Sequence, residues 1–304
     1  MIRKRNVRCK RATTKGTESV FHRTEGIRKS PSAILHFTFY VLFAYCLAVV
    51  ALTSCSDYNR LLKSTDYNKK YDAAVAYYEK KEYTKALALF EELVSIYRGT
   101  NKAEKIMYYY AYATYSTGDY LLAGYHFNNF VKTFPASDKT EECAFLYAYC
   151  YYLESPRYSL DQTDTKNAIK ELQFFINKYP ESKRKDECNE LITKLRSKLE
   201  QKYYEISKQY YFLDDYKAAV TSFENVLKDF PDSKYREEIM YLIVKVNYTY
   251  AIKSIENKKV ERLKLTIDAY NKFVSYYPEN SEYNKESEGY FSSAQKQLEN
   301  FPKQ

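Results

Sequence analysis

The chain is poor in the residues that build small-molecule chemistry. Of its 304 residues none is Trp, three are His and six are Gly. Beyond residue 54 only Gly99, Gly118, Gly124 and Gly289 remain, too scattered to form a loop that cradles phosphate. No GxSxG, HExxH or paired Cys-His arrangement occurs. The one histidine of that stretch, His126, sits beside an apolar Phe127 and reads as a helix residue rather than a base. Asp161 and Asp164 share a loop and read as a solvated turn with a helix cap at Asp164 rather than an acid pair. Hence no catalytic residue, no metal site and no dissociable cofactor are expected.

Cysteine is equally uninformative as chemistry. Cys55, Cys143, Cys150 and Cys188 follow residue 54. Cys143 and Cys150 fall on one expected helix, and seven helical residues rise about 10 Å, too far for a bridge. With Cys55 set aside, the count is odd and there is no CxxC, which argues against a disulfide framework, redox chemistry and zinc alike. The three read as small core residues.

The net charge of +9 is misleading. Residues 1–32 hold ten Lys and Arg against Glu18 and Glu25, so this leader accounts for +8 and the remainder is nearly neutral. No nucleic-acid partner is therefore expected. The leader is long for an export signal and leaves room for a start codon downstream of Met1.

After the basic leader, Ala33 to Leu52 is apolar and carries no Lys, Arg, Asp or Glu. It ends in Leu52-Thr53-Ser54-Cys55 and turns polar at Asp57, Asn59 and Arg60. A basic, then apolar, then small-residue order is that of an export signal. The closing tetrad resembles a bacterial lipobox, which implies cleavage before Cys55, diacylglycerol on its sulfur and an acylated amino terminus. The alternative is a plain transmembrane helix, since about 20 apolar residues span a bilayer. Both place the body outside the cytoplasm, tethered to a membrane. Several acyl chains anchor stably, at about 0.8 kcal/mol per buried methylene. Ser56 after the lipidated Cys fits release to the outer membrane, periplasm-facing.

The body is repetitive. Phe130-Val-Lys-Thr-Phe-Pro135-Ala-Ser137 recurs as Phe175-Ile-Asn-Lys-Tyr-Pro180-Glu-Ser182, Val226-Leu-Lys-Asp-Phe-Pro231-Asp-Ser233 and Phe273-Val-Ser-Tyr-Tyr-Pro278-Glu-Asn280, the prolines 45, 51 and 47 residues apart. Proline stops a helix because it lacks an N–H and clashes with the preceding turn. The Ser or Asn two residues on is placed to cap the next helix. Upstream, Tyr83…Ala86…Phe90, Tyr120…Ala123…Phe127 and Tyr216…Ala219…Phe223 share an aromatic, then a small residue, then Phe. The small residue admits a neighbouring helix and the Phe fills the gap.

Nothing alternates with period two, so an all-α chain is expected, with pairs 67–80 and 83–97, 101–116 and 119–134, 138–153 and 164–179, 184–211 and 215–230, 234–256 and 260–277, then a capping helix 281–300. The repeats resemble the tetratricopeptide repeat, with its Gly-Asp-Tyr turn, packing Ala and Phe, and closing Pro. The implied fold is a tetratricopeptide-repeat solenoid of about five helix pairs with a C-terminal capping helix. The corresponding division is 1–54 signal, 55–66 lipidated tether, 67–183 repeats one to three, and 184–301 repeats four and five with the cap.

A polar insertion, Glu154-Ser-Pro-Arg157-Tyr-Ser-Leu-Asp161-Gln-Thr-Asp164, interrupts repeat three, and an over-long helix follows it. With the lipobox and 250 residues beyond residue 54, the chain is similar to the BamD-like outer-membrane assembly lipoproteins. It departs from them in having Arg98-Gly99-Thr100 where repeat one would carry its proline, and in its abundance of Tyr. The resemblance implies a lipoprotein of the β-barrel assembly machinery, with unfolded outer-membrane proteins on its N-terminal repeats and a barrel-forming partner on its C-terminal ones. Lys228, Asp229 and Asp232, with helices 234–277, would form that partner face. A generic periplasmic scaffold for envelope complexes is the rival.

In such arrays the first helix of each pair lines the groove. Aligning Ala74, Ala111 and Ala148 stacks Tyr71, Tyr108 and Phe145; Val75, Tyr112 and Tyr149; and Tyr78, Tyr115 and Tyr152. Such an aromatic ladder suits an extended peptide with aromatic side chains. The competing reading is that these tyrosines only pack helix against helix.

Overall fold

The computed structural model describes residues 57–279 and 281–301. Ala33 to Leu52, Cys55 and Asn280 lie outside them, so the structure leaves the lipobox and the fourth capping residue as expectations. Residues 57–62 are helical and belong to a unit that ends at Lys63; the repeats form a second unit from Ser64 onward, within which the division at 183/184 falls in a turn. Among the described residues no helix is long and apolar enough to cross a membrane.

The repeat unit consists of α1 (Tyr67–Glu79), α2 (Tyr83–Ile96), α3 (Ala103–Ser116), α4 (Tyr120–Thr133), α5 (Thr140–Glu154), α6 (Thr163–Lys178), α7 (Lys185–Phe212), α8 (Tyr216–Asp229), α9 (Arg236–Ile252), α10 (Glu256–Tyr276) and α11 (Asn284–Glu299). Each packs on the next in sequence, so α1 to α10 form five consecutive pairs and α11 closes the array against α9 and α10. This is the tetratricopeptide-repeat architecture. Ala86, Ala123 and Ala219, with Phe90, Phe127 and Phe223, are fully buried. Asp66, Asp119 and Asp215 cap α1, α4 and α8 by accepting the N–H of Lys69, Leu122 and Ala218. Cys143, Cys150 and Cys188 are free, buried thiols, pushed up by burial to about 12, 12 and 11.

The serines after the prolines do not cap the next helix as expected but close the turn that precedes it. Ser137, Ser182 and Ser233 each accept the N–H two residues on, while the helices begin later, at Thr140, Lys185 and Arg236, without a side-chain cap. Ser281 does the same with Tyr283. Each of the first three also donates back to a carboxylate of the preceding repeat: Ser137 to Glu104 at 2.7 Å, Ser182 to Glu141 at 2.6 Å and Ser233 to Glu200 at 2.5 Å. The closures are thus latches between repeats, and Glu200 is the buried one, also accepting from the N–H of Lys234.

The insertion in repeat three is held rather than loose. Gln162, not Asp164, is the residue before α6, and its buried amide donates to the carbonyls of Arg157 and Leu160 at 2.9 and 3.0 Å. Asp164 lies in the first turn of α6, while Asp161 accepts from the Thr163 side chain and then from its N–H, which lowers its carboxyl pKa. The length of α7 has its reason here. Lys198 donates to Ser155 Oγ at 2.7 Å and Lys202 to the Leu160 carbonyl at 2.7 Å, so a 28-residue helix reaches back to clamp the insertion.

The turn between α9 and α10 falls at 253–255, four residues before the expected 257–259. Lys253 pairs with Asp214 of the preceding turn at 3.0 Å, and Arg262 donates to Ser254 Oγ; these contacts fix the break where periodicity alone does not.

The cap docks through Glu286, which accepts from Tyr290 at 2.6 Å and from Lys245 of α9 at 3.2 Å. The hydrogen bond from Tyr290, then that from Tyr241, lowers the Glu286 carboxyl from 4.5 to about 2. A depressed folded pKa stabilises above the unfolded value and is lost as pH falls through the folded one. Wild type should therefore lose more stability between pH 4.5 and 2 than Glu286→Gln does. The difference should stay below about 1 kcal/mol because the pair is solvated. Equal acid sensitivity of the two melts would refute it.

Candidate functional site

Two kinds of position place tyrosine on the first helices of the pairs. Those at Tyr108, Tyr112 and Tyr115 follow one face of α3, spaced so that each ring reaches the next: 5.6 Å from Tyr108 to Tyr112 and 6.0 Å from Tyr112 to Tyr115. Behind them Phe127 of α4 supports Tyr112 and Tyr115 edge-on, each at 6.2 Å. On α5 the rings of Phe145, Tyr149 and Tyr152 stack in turn at 5.5 and 5.4 Å. Tyr108 joins the two helices by donating its hydroxyl to Glu142 of α5 at 3.1 Å. Tyr78 of α1 completes the row, stacked on Tyr109 of α3 at 4.1 Å with planes 9° apart.

All the tyrosines of this row are half-buried, so each both packs and presents surface. Phe145 does not: it is 2% exposed under the guanidinium of Arg184, 4.2 Å from its ring, and backs the row from the core. Tyr71 stands apart, against Tyr97 at 6.0 Å and beneath Lys102 at the turn between α2 and α3. Lys228, Asp229 and Asp232 are exposed at the end of α8 and the turn after it. They occupy a different repeat from the row.

Burial keeps the phenols of the row uncharged. Burial raises the hydroxyl pKa of Tyr78, Tyr108, Tyr112 and Tyr149, and pushes Tyr115 up to about 12. Each phenol therefore stays protonated and can both donate and accept. Glu142 acts further on Tyr108 and Tyr112, and Arg184 opposes it at Tyr112. The row offers flat apolar faces edged by hydroxyls, with one carboxylate and one guanidinium beside it.

Sequence alignment of equivalent positions misses Tyr109, Glu142 and Arg184. The stack of Tyr78 on Tyr109 joins non-equivalent positions of neighbouring repeats, which register matching cannot find. His126 lies between Tyr110 at 4.3 Å and Tyr125 at 5.4 Å, and burial lowers its pKa. Its Nε2 is buried without a hydrogen-bond partner. Among the described residues no group of three or more His, Cys, Asp or Glu is placed to hold a metal.

Comparison with known proteins gives one strong match. Residues 63–263, well over half the chain, match the model of the YfiO family, described as outer membrane lipoprotein. No curated protein matches. Among solved structures, the "TPR2AB-domain:pHSP90-complex of yeast Sti1" is 14% identical, with 76% of this chain and 84% of that one covered and a TM-score of 0.35. The P58(IPK) TPR domain is 16% identical over 81% of this chain and 69% of that one, with a TM-score of 0.37. At such scores neither superposition bears on mechanism. The family match, over the repeats whose latches and core are described above, establishes that this chain belongs to the YfiO family of outer membrane lipoproteins.

Proposed function

We propose that this protein is the lipid-anchored repeat subunit of an outer-membrane β-barrel assembly machine. In this reading the tyrosine row of α1, α3 and α5 receives segments of unfolded outer-membrane proteins, while the C-terminal repeats hold the barrel-forming partner. The observation that carries it is the row itself, half-buried tyrosines in ring contact along α3 and along α5, the two helices joined by the Tyr108 hydrogen bond to Glu142. Extended outer-membrane strands alternate apolar and polar side chains, and their aromatic residues would lie flat on these rings while free backbone groups meet the hydroxyls. Cys55 carries the lipid, 55–66 is the tether, and Lys228, Asp229 and Asp232 belong to the partner face. Mass spectrometry of the exported form should find acyl groups on Cys55.

The decisive experiment titrates a peptide from the C-terminal strand of an outer-membrane β-barrel against wild type and against Tyr112→Ala/Tyr115→Ala. Affinity should fall at least about tenfold, since the variant removes two aromatic anchors worth about 1 kcal/mol or more each. Tyr149→Ala, which removes a half-buried ring stacked between Phe145 and Tyr152, should lower affinity at least about fivefold while the helical circular dichroism stays that of wild type. Unaltered binding in folded variants removes the row as the site. Co-purification with a barrel-forming insertase supports the assembly role, whereas recovery of peptidoglycan synthases alone would favour the scaffold.

A further inference from the structure

A second apolar surface lies on other faces of repeats two and three. A channel of about 590 Å³ runs between α4 and α5, lined by Leu121, Tyr125, Tyr147 and Tyr151. It continues past Asn128 and Tyr147 into a further 250 Å³ bounded by Phe174 of α6. Leu121, Tyr125 and Phe174 are 73%, 60% and 60% exposed, large apolar side chains with nothing over them. Gly124 lies at the channel wall, where a Cβ would meet Cys150 Cβ at 3.3 Å, so α4 approaches α5 closely along this line.

The fold does not demand this apolarity. Aligned on the packing alanines, Leu121 corresponds to Thr84 and Lys217, Tyr125 to Ala88 and Thr221, and Phe174 to Glu92 and Asn225. All six of these counterparts are exposed, and Lys217, Thr221 and Asn225 line a polar depression on α8. Five of the six are polar, so the fold does not require apolar side chains there; the channel takes its exposed apolar groups from the first two positions in repeat two and from the third in repeat three, whose remaining counterparts are Asn129, Lys166 and Lys170. Contiguous exposed apolar surface of this kind marks an interaction site.

The channel is also charged unevenly along its length. Asp119 and Glu154 stand at the end where α4 begins and α5 finishes. Lys132 and Lys178, in the last turns of α4 and α6, stand at the other. Between them stand Asn128, Glu171 and the hydroxyls of Tyr125, Tyr147 and Tyr151, too few to pair every backbone N–H and C=O of an extended segment, whereas a helix satisfies its own.

We propose that this channel seats an amphipathic helix of a partner protein. The helix runs parallel to α4, its positive amino-terminal end at Asp119 and Glu154 and its negative carboxy-terminal end at Lys132 and Lys178. Leu121 to Lys132 spans about three turns at 1.5 Å per residue, so the partner presents apolar side chains at i, i+4 and i+7. Whether or not the tyrosine row binds unfolded chains, this site stands on its own residues.

The test uses the full chain in nanodiscs and a stapled helical peptide with Leu at i, i+4, i+7 and i+11, Lys in its first turn and Glu in its last. Its control has the two charges exchanged. The variant is Leu121→Lys/Tyr125→Thr/Phe174→Asn, which installs residues that α8 already carries at the same fold positions. Fluorescence anisotropy should show the first peptide bound at least about tenfold more tightly than the control, and at least about tenfold more weakly by the variant. Tyr112→Ala/Tyr115→Ala should bind it as wild type does. Equal affinity for both peptides, no binding of either, or binding indifferent to the variant overturns the proposal. So does self-association, or adhesion to protein-free vesicles, that the variant abolishes, since the occupant is then a second copy or lipid.

Discussion

Phe127→Ala is expected to lower the stability of the repeat unit by about 3–5 kcal/mol, the cost of truncating a fully buried aromatic ring that the surroundings cannot refill. Phe127 has no exposed surface and sits in one cluster with Ala111 of α3, Ala148 of α5 and Phe130 of its own helix, under the rings of Tyr112 and Tyr115. The loss should not remain local. In a solenoid each repeat is stabilised largely by its neighbours, so loosening the joint between repeats two and three weakens both. Phe174→Ala, on the exposed side of α6, is the matched control and should shift stability by less than about 0.5 kcal/mol. Urea unfolding followed by helical circular dichroism measures both. A Phe127→Ala midpoint close to that of wild type would mean that the core is not built around this ring.

The second large effect is expected at Glu200. Its carboxylate is 7% exposed and accepts from Ser233 Oγ and from the Lys234 N–H, tying α7 to the turn before α9. Alanine there strands a buried hydroxyl, and loss of charge-assisted hydrogen bonds of this kind costs about 1.5–3 kcal/mol. Glu141→Ala, which breaks the solvated latch to Ser182, should cost under about 1 kcal/mol. Glu200→Gln keeps an acceptor and should fall between the two. If all three variants unfold at one urea concentration, the serine closures contribute nothing between repeats.

The helix pairs were legible because two local rules coincide. Proline ends the second helix of each pair except α2, and the Ala and Phe spacing places both residues on one buried face; observed boundaries fall within three residues of expectation except at the last pair. There the turn at 253–255 is chosen by Lys253 and Arg262, whose partners lie on other turns and leave no periodic trace. The latch carboxylates were invisible for a similar reason. Glu104, Glu141 and Glu200 precede their serines by 33, 41 and 33 residues, and an exposed-looking Glu on a helix has many ordinary explanations. The tyrosine row was half legible. Periodicity brings Tyr108, Tyr112 and Tyr115 to one face, but only packing shows that Phe145 is turned inward beneath Arg184 and that Tyr71 packs on Tyr97 and Lys102 at the turn between α2 and α3. The channel beside α4 leaves no local mark, since Leu121 and Tyr125 look like any amphipathic stripe until their counterparts Lys217 and Thr221 show that the stripe is optional.

Turns carry a further asymmetry. The break within the second pair uses Gly118 at φ 87°, whereas the same place in the first and fourth pairs holds Lys81 at φ 60° and Asp214 at φ 61°, a conformation that side chains other than glycine adopt at some cost.

The tyrosine row has an optical consequence as well. Thirty-six phenols and no indole make the chain a set of ultraviolet donors lacking any internal acceptor. A bound segment bearing a single tryptophan would drain their emission by resonance transfer, most strongly from rings within a few ångströms. The molecule thus reports its own occupancy without a dye, since its tyrosine emission falls and indole emission appears only when such a segment is bound.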